Sequence, residues 1–104
     1  MRKSNLMSPS DSLGTPIQAS GLTVAYTGTA GTTARLPQET NWVRVVATTD
    51  CWIEILPGNI PVAASNTGMY MVAFVPEYFA CPSGGRVSAV QVSTAGSIYV
   101  TAFA

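Results

Sequence analysis

Prolines at positions 37, 57, 61, 76 and 82 fall across the intervals in which an α-helix could otherwise grow. Each removes a backbone N–H and clashes with the preceding turn. Between them stand short runs rich in Val, Ile, Thr, Tyr, Trp and Phe, separated by Gly, Pro, Asn, Asp or Ser every eight to twelve residues. That pattern predicts an all-β domain, a single β-sandwich or jelly-roll-like unit of seven to eight short antiparallel strands. Strands are expected near 21–27, 32–36, 42–47, 51–56, 60–64, 69–75, 86–92 and 97–103. The chain has 104 residues, enough for one modest core.

Two stretches specify a register if they are hairpins. In NWVRVVATTDCWIEIL, a three-residue loop Thr48-Thr49-Asp50 places Ala47 opposite Cys51, Val45 opposite Ile53 and Val43 opposite Ile55. The reverse face then pairs Val46 with Trp52, Arg44 with Glu54 and Trp42 with Leu56, and the opposite charges add about 0.2–1 kcal/mol. Asp50 takes the left-handed position of that loop. In RVSAVQVSTAGSIYVTAF, the loop Thr94-Ala95-Gly96 gives that position to glycine, sets Val92 opposite Ile98 and Val90 opposite Val100, and pairs Gln91 with Tyr99 and Val87 with Phe103.

Residues 1–20 carry neither a helical nor a strand period and are broken by Pro9, Gly14 and Pro16. They read as an extended arm ahead of a β-sandwich domain over 21–104. Ordering an arm costs roughly 1–2 kcal/mol per residue in backbone entropy. Leu6, Met7, Leu13 and Ile17 are its sizeable apolar side chains, and each returns about 1.5–3 kcal/mol if fully buried. The arm is therefore expected to run as a strap onto a neighbouring subunit, with Arg2 and Lys3 meeting acidic groups there.

Histidine is absent, and five Lys/Arg balance five Asp/Glu. The commonest general base and metal ligand is thus missing. The acids Glu39, Asp50, Glu54 and Glu77 are scattered, and the one lysine lies in the arm. No catalytic, cofactor-binding or metal site is expected. The Gly28-Thr29-Ala30-Gly31 and Ser83-Gly84-Gly85 pieces lack the helix and lysine of a phosphate-binding loop and read as turns. Neutral charge lacks a nucleic-acid footprint. The longest apolar run, Met69–Val75, falls far short of the roughly 20 residues of a membrane-spanning helix. The first residues carry no apolar stretch of the secretory kind, so cytoplasmic synthesis is expected, with Cys51 and Cys81 as free buried thiols.

Only 10% of residues are charged, against roughly 25% in an ordinary soluble domain. Ten Ser, twelve Thr and thirteen Ala give a neutral exterior that associates readily. Trp42, Trp52, Tyr70 and Tyr78 are the candidate interface aromatics, as an anchor for a protein partner or a stacking platform for a glycan.

From about Thr32 onward the phrases TTARLPQETNWVRVVATTDCWIEI, PVA, YMVAFVPEYFACPSGGRVSAVQV and AGSIYVTAF resemble a family of small virion proteins of tailed bacteriophages and prophages. The resemblance covers most of the chain but not the arm. It implies a non-enzymatic capsid decoration or cement protein, homo-oligomeric, bound to the major capsid protein on the outside of the head and located in the virion after assembly in the host cytoplasm. The same strands would suit a head-to-tail connector, tail or fibre-base subunit. A glycan-binding β-sandwich module is the reading from another class. None of these implies a small-molecule substrate, a nucleic acid or a membrane as partner.

Overall fold

The structure, a computed structural model, describes residues 15–57 and 64–104. Eight strands follow in order: β1 (Leu22–Tyr26), β2 (Gly31–Thr32), β3 (Trp42–Ala47), β4 (Cys51–Leu56), β5 (Met69–Met71), β6 (Glu77–Ala80), β7 (Arg86–Gln91) and β8 (Gly96–Phe103). They form two antiparallel four-stranded sheets, β1-β8-β3-β6 and β2-β7-β4-β5. That is the strand order of an eight-stranded jelly roll. The described residues contain no helix.

Alternation explains where the core lies. In β3, Val43, Val45 and Ala47 point inward and are fully buried. Cys51 and Ile53 of β4, Val87 and Ala89 of β7, and Ile98, Val100 and Ala102 of β8 meet them between the sheets. Both cysteines are free and buried, as expected. Burial pushes the Cys81 thiol up to about 11.

The two expected hairpins are absent, which corrects the pairing deduced from sequence. β3 lies in one sheet and β4 in the other, so Arg44 faces Thr101 and Tyr78, whereas Glu54 faces Ser88. β7 and β8 are separated likewise: Val90 pairs with Trp52, and Val100 with Leu22 and Val45. Both connections, three residues over 48–50 and four over 92–95, are arches that carry the chain across the sandwich. A hairpin sets two aliphatic ladders side by side, and an arch sets them face to face. The sequence alternation is identical in the two cases.

Neither loop uses a left-handed residue at the expected position, since the described positive-φ residues are Ala19, Phe74 and Gly84. Gly96 is glycine for a steric reason. A Cβ there would lie 2.5 Å from Thr49 Oγ1, 2.7 Å from Thr48 Oγ1 and 2.9 Å from the Tyr26 hydroxyl.

Residues 15–20 also depart from expectation, because they lie against their own domain. Pro16 bridges Phe103, the Ile17 N–H donates to the Ala102 carbonyl at 2.8 Å, and the Ala104 N–H donates to the Thr15 carbonyl at 2.9 Å. Ile17 is half-buried against the core. Between this bridge and β1 the Ser20 hydroxyl stands in for backbone, accepting from the Ala102 N–H at 3.1 Å. The arm residues Arg2, Lys3, Leu6, Met7 and Leu13 lie outside the described residues, as does the expected strand over 60–64 apart from Ala64.

Candidate functional site: an apolar edge

Four connections gather around one end of the sandwich, namely β1–β2, β3–β4, β5–β6 and β7–β8. The buried Tyr26 hydroxyl donates to the Thr49 carbonyl at 2.8 Å, and Thr49 Oγ1 donates to the Thr94 carbonyl at 2.9 Å. The Thr48 N–H donates to the Ser97 carbonyl at 3.0 Å, while the Ser97 N–H donates to Thr48 Oγ1 at 3.0 Å. The Gln91 N–H reaches the Thr27 carbonyl at 3.0 Å. These bonds knit the arches into a firm base.

Asp50 joins the β5–β6 connection to that base. Its Oδ2 accepts from the Tyr70 hydroxyl at 2.6 Å, and its Oδ1 accepts from the Ala73 N–H at 2.9 Å. The Tyr70 bond, followed by the Ala73 N–H, holds the Asp50 carboxyl below its ordinary value, and the same bond holds the Tyr70 hydroxyl above its own. The next residue, Phe74, donates its N–H to the Ala47 carbonyl at 2.7 Å and has φ of 62°. A bulky side chain rarely adopts that left-handed conformation. Here the Asp50 clamp and the Ala47 carbonyl fix the backbone on both sides of the peptide, and the phenyl ring is left 72% exposed.

Phe74 has company. Of the eight most exposed large apolar side chains among the described residues, six lie between Met69 and Tyr78: Met69, Tyr70, Val72, Phe74, Val75 and Tyr78. The most apolar run of the chain therefore forms an edge of the surface. It was expected as one strand over 69–75, yet only Met69–Met71 joins a ladder. β6, which falls in a stretch read from sequence as a turn, supplies the other side of the same edge.

The four candidate aromatics divide into two pairs. Tyr70 sits beside Trp52 on the outer face of β4 and β5, with ring centroids 5.1 Å apart and planes at 84°. Trp42 and Tyr78 lie on the outer face of the other sheet, where Trp42 pairs with Phe103 and Tyr78 meets Phe103 edge-on at 5.9 Å. The hairpin register had put Trp42 and Trp52 on one face; the arch puts them on opposite faces. The structure brings Tyr70 and Tyr78 to the two flanks of the apolar edge and leaves both tryptophans half-buried behind them.

Among the described residues no three His, Cys, Asp or Glu side chains come together as metal ligands. No cavity opens among them either. Sequence reasoning missed Phe74, Val72, Val75 and Asp50. The signal for the first three was the lack of alternation in Met69–Val75, in a chain whose other strands alternate. An antiparallel sandwich strand needs one apolar face, and a run apolar on both has one face too many.

Comparisons with protein-family models, with curated proteins and with solved structures return no match. The jelly-roll description rests on strand order alone.

Proposed function

We propose that this chain is a non-enzymatic structural subunit of a larger protein assembly, and within that class a decoration or cement protein on the head of a tailed bacteriophage. The observation that carries the assembly reading is the apolar edge over Met69–Tyr78, with Phe74 presented in a left-handed conformation. Exposed apolar surface gathered in one place marks contact with a partner. A strained, over-determined backbone at that place points to function rather than to packing. Low charge and zero net charge favour a surface that spends its life covered.

The virion part of the reading rests on the sequence resemblance, and the jelly-roll strand order adds an analogy of fold, which by itself carries no function. The mechanism is additive contact. Each subunit covers a junction between capsid subunits, and many copies acting together turn modest individual affinities into a strong clamp.

The deciding experiment is stoichiometric. Purified particles are resolved on a stained gel, and this chain is quantified against the major capsid protein. Copy numbers comparable to the capsid subunit are expected. A few copies per particle would instead favour the connector or tail-base reading, and absence from particles would overturn the virion assignment.

A further inference from the structure

We infer that the Met69–Tyr78 edge is covered by the same edge of a second copy of this chain, so that the assembling unit is a two-fold dimer. This deepens the assembly reading and rests on it.

Area is the first argument. Side chains of this size offer on the order of 150–250 Å² each when fully exposed, so the six leave roughly 600 Å² uncovered, against about 800 Å² per partner in an ordinary specific interface. The edge is thus close to one full side of a stable contact.

Charge is the second. A two-fold interface presses one patch against itself, so every like charge near its centre meets its own copy. Between Met69 and Pro76 there is no charged side chain. The charges that flank the patch are of opposite sign, Arg44 beside Tyr78 on one strand pair and Glu77 beside Val45 on the same pair. One carboxylate does stand within the edge, Asp50, tied to the Tyr70 hydroxyl and the Ala73 N–H, so a two-fold contact has to set its axis away from Asp50, with one further cation and one further anion from each copy at its rim.

Geometry is the third. The edge strands β5 and β6 have three and four residues and are each paired on one side only among the described strands. Their short length leaves the interior side chain of Met69 open at the flank, although its opposite number in the ladder, Ile53, is fully buried. A second copy laid along this flank closes both cores at once. Phe74 sits at the tip as the aromatic anchor.

The test uses the full chain in sedimentation equilibrium across the micromolar range. The expected result is a monomer–dimer equilibrium that Phe74→Asn weakens about 30-fold or more, the effect of losing an aromatic anchor. Asparagine tolerates the left-handed conformation, so this variant keeps its fold. Val72→Glu gives the same loss by placing like charges face to face, whereas Tyr99→Glu, on an exposed position of β8 away from the edge, leaves association unchanged. A wild-type monomer throughout would overturn the inference, whether or not that monomer floats with phosphatidylcholine vesicles. A dimer indifferent to Phe74→Asn and Val72→Glu would overturn it as well. The virion reading fails separately, in the particle stoichiometry above: a dimer missing from particles removes that reading and leaves this one standing.

Discussion

The two flanks of this sandwich are finished differently. Along β1 and β2 the chain seals itself. Gly31 comes so close to β1 that a Cβ would lie 2.1 Å from the Ala25 carbonyl oxygen, and residues 15–20 continue the rank of hydrogen bonds along β8. Along β5 and β6 the strands are short, and apolar side chains stand in solvent. Both flanks belong to one domain with one core, so the contrast is not a matter of stability in general. The first flank is closed by local chain geometry, and the second is left with its apolar side chains uncovered.

Breaking the sealed flank has the largest effect. Gly31→Ala drives a methyl group into a backbone carbonyl that cannot rotate away, and destabilisation of about 3 kcal/mol is expected. Urea denaturation measures it as a lower midpoint with unchanged slope. A near-zero change would mean that β2 is free to lift from β1 and that the flank is not sealed.

Ser20→Ala acts on the same flank more gently. Without the hydroxyl, the Ala102 N–H keeps no partner at the point where the chain bulges away from β8, at a cost of about 1–2 kcal/mol. Exchange of the Ala102 amide with solvent should speed up locally, and amide exchange of β3 should change only as far as global stability falls.

On the open flank the sign reverses. Phe74→Gly relieves a left-handed backbone and removes an exposed ring, so the isolated subunit should gain about 1 kcal/mol. Thermal melts at concentrations too low for association read this directly. A loss of stability would show that Phe74 packs within its own subunit.

The smallest effect concerns Asp50. Its folded carboxyl titrates below the ordinary 3.8, so the contribution of its two hydrogen bonds is fully present above that value and disappears as pH falls through the lower folded value. In the wild type, denaturation midpoints should fall over that acid range partly because of this group. Asp50→Asn should flatten that part of the profile by lowering the midpoint near neutrality slightly towards its acid value. An unaltered acid limb would show that the clamp does not hold the β5–β6 connection.

Strand positions were legible because inward and outward residues alternate wherever one face is buried; Trp42–Ala47 and Cys51–Leu56 were bounded correctly from that alone. Strand partners were not legible. Val43, Val45 and Ala47 face Cys51 and Ile53 whether the chain turns beside itself or over itself, and the apparent match of Arg44 with Glu54 belonged only to the first case. β6 escaped notice because Glu77-Tyr78-Phe79-Ala80 is short and lies between Pro76 and Pro82. Half of the aromatic candidates, Tyr70 and Tyr78, do reach the edge. Phe74 was hidden in a run whose apolarity suggested burial, since nothing in a linear string says that a residue sits at φ of 62° on a tip.

The arches also govern how the chain reaches this state. Neither β3 and β4 nor β7 and β8 can zip from a shared turn, and β1 finds its partner only when β8 arrives from the far end of the sequence. Loop closure must come before most of the pairing energy is available, which places the chain among slow folders on a millisecond-to-second scale. On the ribosome, the sheet containing β1 stays incomplete until Gly96–Phe103 has emerged, and throughout that interval Met69–Val75 is exposed beside unfinished strands. Synthesis is the period in which this protein is most exposed to wrong partners.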